Sequence, residues 1–216
     1  MGDSAAGRKK TVFIVILFLG LVIYWNEVAA SASPLDQMKS TVDEILQIVR
    51  DENLKVPELR DKRREMIMKV VGQRFNFQVM SQLALARNWK ARTDSEKKQF
   101  VDMFRKILEN TYIARVENYS NEEIIYKKEV LKGKGKAVVY TETIINDTEI
   151  PIVYRLKNYN DQWLVYDVII EKVSLIGNYR SQFNQIMSKE DFPGLVKRLE
   201  EKIQKMEESG ETDDVP

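Results

Sequence analysis

Cysteine and histidine are both absent from the 216 residues. Without cysteine there is no disulfide framework, so stability has to come from a packed core. Without histidine, Ser-His and Cys-His nucleophilic catalysis is excluded, and so are the usual zinc sites. No Asp-rich loop has calcium-binding spacing and no G-x-x-x-x-G-K-[ST] occurs; the lone Gly133-Lys134-Gly135 is a turn. A surplus of charge is missing too. The formal net charge is +1, and Arg8, Lys9 and Lys10 set against Asp3 and Glu27 account for it, leaving the chain after Ala32 neutral. Neutrality argues against nucleic acid as partner, because phosphate neutralisation needs a basic surplus. It also supplies no strong drive toward anionic membrane surfaces.

What is present begins with a leader. Arg8, Lys9 and Lys10 precede an apolar run from Val12 to Trp25, followed by small residues with Ala30-Ser31-Ala32 matching an A-x-A cleavage site. That is the layout of a secretory signal peptide over residues 1–32. The apolar core of about 14 residues falls short of the roughly 20 that span a bilayer, which favours cleavage over a retained anchor. Export is the expectation either way.

Helical periodicity follows. Ser33-Pro34 reads as a cap with proline at the first helical position, and Leu35, Met38, Val42, Ile45, Leu46 and Val49 give an amphipathic helix to about Arg50. A second helix is expected from Pro57 to about Val71, ended by Gly72, and a third from Phe75 to Ala86. Thr93-Asp94-Ser95-Glu96 is a capping box opening a long helix with Phe100, Val101, Phe104, Ile107, Leu108 and Tyr112 in its apolar stripe. After Asn118 the period becomes twofold. Four strands are predicted, Glu123 to Leu131, Lys136 to Asn146, Glu149 to Lys157 and Trp163 to Glu171, joined by short turns as an antiparallel meander. Helices resume from Leu175 to about Lys189 and again from an Asp191 cap. Residues 207–216 read as a disordered acidic tail. The pattern specifies an α+β domain over residues 33–206, with helices on the apolar face of a curved four-stranded sheet.

One stretch carries more than pattern. Tyr166-Asp167-Val168-Ile169-Ile170-Glu171-Lys172-Val173-Ser174-Leu175, followed by Asn178-Tyr179-Arg180 and Phe183, resembles the periplasmic phospholipid-carrier (MlaC, toluene-tolerance) family of the Mla pathway. That family has Trp-x-x-Tyr-Asp-Val, then Glu-Gly-Val-Ser-Leu and Asn-Tyr-Arg-x-x-Phe. Lys172 stands where the family usually has Gly, so the strand-to-helix turn is expected to differ slightly. Phe75-Asn76-Phe77, Met80-Ser81, Ala84 to Trp89 and the Thr93-to-Phe104 segment are similar to two further family helices. The match runs on through Asn118-Tyr119 and Gly194-Leu195, covering roughly Leu35 to Lys202.

The resemblance implies a nuclear-transport-factor-like cone that holds acyl chains in an apolar cavity between sheet and helices, with the head group outside. It implies a non-enzymatic periplasmic shuttle for phospholipid between outer and inner membranes, maintaining lipid asymmetry, with no cofactor. The implied partners are an inner-membrane ABC transporter with its lipid-binding ring subunit and an outer-membrane lipoprotein–porin complex. Apolar faces of this kind read by pattern alone as ordinary core. With the resemblance, the expected lining is Tyr154, Leu156, Val165 and Ile169 from the sheet and Trp89, Phe100, Phe104, Tyr179 and Phe183 from helices. Val139 and Thr141 join in the register assumed for the second strand; a one-residue slip would substitute Val138 and Tyr140. Arg180 is the head-group candidate, against a solvated salt bridge, and Lys132, Lys134 and Lys136 form a basic hairpin tip. A related cargo such as a hopanoid stays open. Two other classes do as well: an envelope adaptor with a filled core, and a small cone enzyme using Tyr166-Asp167. Adjacent strand residues point to opposite faces, so that pair can share a pocket only across a bulge.

Overall fold

The computed structural model describes residues 32–119, 122–145 and 147–209. Residues 1–31 of the expected leader and residues 210–216 of the expected tail lie outside the described residues. The start of the expected tail does not: Glu207 and Glu208 are still helical, and Glu207 pairs with Lys106 at 2.5 Å.

Helix α1 (Pro34–Arg50) starts where the sequence predicts, with Ser33 Oγ accepting the Asp36 N–H at 3.1 Å. A 3₁₀ turn at Pro57–Leu59 leads into α2 (Arg60–Arg74). This helix runs through Gly72 instead of ending there. The extra turn brings the half-buried Arg74 guanidinium within 2.8 Å of Thr41 Oγ1 and the Trp163 carbonyl, and 2.7 Å of Gln37 Oε1. Those bonds tie α1, α2 and the sheet together and outweigh the weak helix propensity of one glycine. Helix α3 (Phe77–Leu85) is capped by Asn76, whose own N–H donates to the Val165 carbonyl. Helix α4 (Asp94–Glu117) opens on the predicted capping box: the Glu96 N–H meets Thr93 Oγ1 at 3.2 Å, and the Thr93 N–H meets Glu96 Oε2 at 2.7 Å.

Its other end is held by charge. Glu117, with a side chain 6% exposed, accepts from Arg64 at 2.8 Å and Arg63 at 3.4 Å, with Arg60 at 3.9 Å. Burial pushes the Glu117 carboxyl up, but the hydrogen bonds and charges of Arg64, Arg63 and Arg60 outweigh it and hold it below the usual value. A depressed folded pKa gives stability that is present above the unfolded value and lost as pH falls through the folded one. Glu117→Gln should therefore cost about 2 kcal/mol at neutral pH, less than for a fully buried pair because Arg60 and Arg64 reach water. The gap to the unsubstituted protein should close below about pH 4 in urea melts.

The sheet has five strands, not four: β1 (Glu123–Lys132), β2 (Lys136–Ile145), β3 (Thr148–Tyr159), β4 (Gln162–Ile170) and β5 (Val173–Ser174). They pair antiparallel in chain order. The additional strand spans two residues, too few for twofold alternation to register. It returns on β4 through Glu171 (φ 48°) and Lys172 (φ 71°), a tight turn with both central residues left-handed. Lys172→Gly should stabilise the protein by up to about 1 kcal/mol in denaturant unfolding, by relieving a conformation that only glycine adopts freely.

Helix α5 (Leu175–Ser209) is kinked at Asp191 (φ 61°, ψ −168°), where Asp191 Oδ1 accepts the Gly194 N–H and Pro193 restarts the helix. A Cβ on Gly194 would sit 2.6 Å from that of Glu190, so the kink needs glycine there. Helices α3, α4 and α5 cover the inner face of the sheet with one core, built on Phe100, Phe104, Ile107, Leu156, Val165 and Leu195.

Candidate functional site

The inner wall of the sheet follows from pairing. Val139 lies opposite Tyr154, and Tyr154 opposite Val168; Ala137 lies opposite Leu156, and Leu156 opposite Val165. Cross-strand partners share a face, so these six form one apolar surface. Val139, Leu156 and Val165 are fully buried. Thr141 lies in the same face and satisfies its hydroxyl by donating to the Ile152 carbonyl at 3.0 Å. Burial pushes the Tyr154 phenol pKa above its ordinary value.

Facing this wall, α4 and α5 contribute an aromatic cluster. Phe104 meets Tyr179 edge-on at 5.0 Å and Phe183 at 5.5 Å, and stacks on Phe100 at 5.7 Å. Phe100 meets Phe183 edge-on at 5.5 Å. Trp89, in the 3₁₀ stretch Ala86–Ala91, is buried against the same core. Two members escaped the sequence reading. Phe192 packs on Phe100 at 6.4 Å, brought there by the kink at Asp191. Val168 is the other, and its inclusion corrects an expectation.

Ile169 does not belong to this wall. The β3–β4 register shifts between Arg155 and Leu156: Leu156 opposes Val165, but Arg155 opposes Asp167, leaving Tyr166 as the extra residue of a bulge. Parity inverts beyond it. Val168 and Ile170 turn inward, while Ile169 pairs with Val153 on the opposite, outer face beside Tyr140 and Tyr166. Only a bulge lets Trp163, Val165, Val168 and Ile170 share one side, which is the signal the sequence contains.

The same bulge removes the steric objection to placing Tyr166 and Asp167 together, yet it spends Asp167 on structure. Its carboxylate accepts from Ser174 Oγ at 2.8 Å, the Ile176 N–H at 3.1 Å and Arg155 Nη1 at 3.0 Å. Its side chain is 5% exposed, about as buried as that of Glu117, and like Glu117 it is fully engaged. Arg180, next along α5 from buried Tyr179, points to solvent and pairs with no described carboxylate. Among the described residues no group of three carboxylates could hold a metal ion, and no helix is long and apolar enough to cross a membrane.

A sequence model of the MlaC protein matches residues 39–201, nearly all of this domain. The chain belongs to the MlaC family. A relative with the same family name, the intermembrane phospholipid transport system binding protein MlaC of Haemophilus influenzae, is 20% identical over 198 residues, covering 89% of this chain and 92% of its own. A solved structure, the phospholipid-binding protein of Ralstonia solanacearum in complex with a phospholipid, superposes with a TM-score of 0.71 at 26% identity. That match covers 81% of this chain and 99% of the other. The MlaC assignment expected from the quoted motifs and the α+β architecture expected from the order of the elements thus stand, with β5 added to the sheet.

Proposed function

We propose that this protein is a periplasmic carrier that binds phospholipid acyl chains between the inner face of the sheet and helices α4 and α5. It shuttles lipid between outer and inner membranes and maintains lipid asymmetry without catalysing a reaction. The observation that carries the reading is the phospholipid held by the Ralstonia relative, whose fold this chain shares over most of its length. The chemistry of the wall supports it. Val139, Leu156, Val165, Val168, Phe104 and Phe183 offer acyl chains no polar group, and at about 0.8 kcal/mol per CH₂ two C16 chains gain well over 20 kcal/mol on leaving water. The commitment of Asp167 to Ser174 and the start of α5 supports a non-catalytic role.

In this reading the leader exports the chain. An inner-membrane ABC transporter with its lipid-binding ring subunit and an outer-membrane lipoprotein–porin complex are its exchange partners, and exposed Arg180 meets the head-group phosphate. Deleting the protein from its host should raise the phospholipid accessible to an added phospholipase at the cell surface. Unchanged surface phospholipid would contradict the shuttle.

A further inference from the structure

The outer face of the sheet carries a charge pattern that nothing in the core explains. Lys132 lies directly opposite Lys136, and Lys136 directly opposite Lys157, so three lysines stand in one row across β1, β2 and β3. Like charges in opposed positions destabilise a sheet. None of the three pairs with a described carboxylate, and neither does Lys134 at the hairpin tip. The row at the far end is opposite in sign: Glu123 opposes Ile144, which opposes Glu149. A chain that is neutral overall is therefore polarised along this one face.

The basic end is also the apolar end. Residues 131–136 are all exposed; Leu131, 65% exposed, projects from the reverse side of the tip to the lysine row, because its partner Ala137 belongs to the inner face. Behind the tip lies a concavity of about 440 Å³ floored by Val138, Tyr140, Val153, Tyr166 and Ile169. Two of the lysines on this face lie over tyrosines, Lys128 over Tyr140 at 5.2 Å and Lys157 over Tyr159 at 5.0 Å. A protruding leucine, unpaired lysines and tyrosines with polar tips are the combination that suits a bilayer interface.

We propose that this face, led by the β1–β2 hairpin tip, docks the protein onto the surface of an anionic lipid bilayer. Lys132, Lys134, Lys136 and Lys157 meet phosphates, and Leu131, on the reverse side of the tip, enters the head-group region as the tip inserts edge-on, while the Glu123–Glu149 end is held away by repulsion. Docking orients a carrier at the membrane with which it exchanges cargo, so the inference rests on the carrier reading.

Sedimentation of the full chain, expressed in an exporting host, with phosphatidylcholine vesicles with and without phosphatidylglycerol tests it. The protein should bind the anionic vesicles in a salt-sensitive way. K132E/K136E/K157E should bind roughly 100-fold more weakly, and the charge-removing K132Q/K136Q/K157Q, which keeps the fold safe, at least about tenfold more weakly. Leu131→Asp should weaken binding as well. Phospholipid extracted from the purified variants should match the parent, which separates failure of docking from failure of the carrier reading. Equal binding to neutral vesicles, or variants that bind like the parent, would overturn the proposal. Absence of binding to either vesicle would also overturn it.

Discussion

Phe104→Ala should destabilise the lipid-free protein by about 3–5 kcal/mol and the phospholipid-loaded protein by much less. Phe104 is fully buried, with Phe100, Tyr179 and Phe183 all within 5.7 Å of its ring centre. These rings fill the space between sheet and helices that acyl chains would need. Parting them costs their mutual packing, about 0.5–1.5 kcal/mol per aromatic pair beyond area burial, and this is subtracted from the transfer free energy of the chains. Truncation leaves a void that destabilises the closed packing, and an acyl chain refills that void. Urea unfolding of delipidated and loaded protein measures both values. An equal loss in the two forms would mean that the aromatic cluster is ordinary core and the lipid sits elsewhere.

Asp167→Ala should cost about 3 kcal/mol, because it leaves the Arg155 guanidinium, the Ser174 hydroxyl and the Ile176 N–H without their acceptor at the start of α5. Asp167→Asn keeps one acceptor oxygen and should cost less. Amide hydrogen exchange should show the loss first at Leu175–Tyr179, since the carboxylate bridges β4 to that helix terminus. A stable Asp167→Ala variant that retained protection there would contradict a structural role and reopen a chemical one for the Tyr166-Asp167 pair.

The parts of this architecture legible in the sequence are those set by neighbours. The Ser33 and Thr93 caps, the helical stripe of α4 and the alternation of Ile152, Tyr154 and Leu156 are local, and the chain folds as they specify. Val139 and Thr141 are buried because β2 takes the register its alternation favours. What stayed hidden is set at a distance. Asp167 is drawn toward Ser174 and α5, Tyr166 becomes the extra residue of the bulge, and every side chain beyond it changes face, so Ile169 leaves the wall and Val168 enters it. Helix α2 passes Gly72 because Arg74 is anchored by residues 33 to 89 positions away. The lysines at 132, 134 and 136 are plain in the sequence, but Lys157 joins their row only through the β2–β3 pairing. The left-handed Lys172 is the converse case. The family's glycine at that position marked a turn that this chain makes without one.

The most direct measurement is mass spectrometry of organic extracts from the protein, expressed with its own leader in an exporting host and purified without detergent. A carrier of this kind should yield near-stoichiometric phospholipid, which would also identify the head group and acyl chains it holds. Folded protein that yields no phospholipid, or a stoichiometric ligand of another class, would contradict the account.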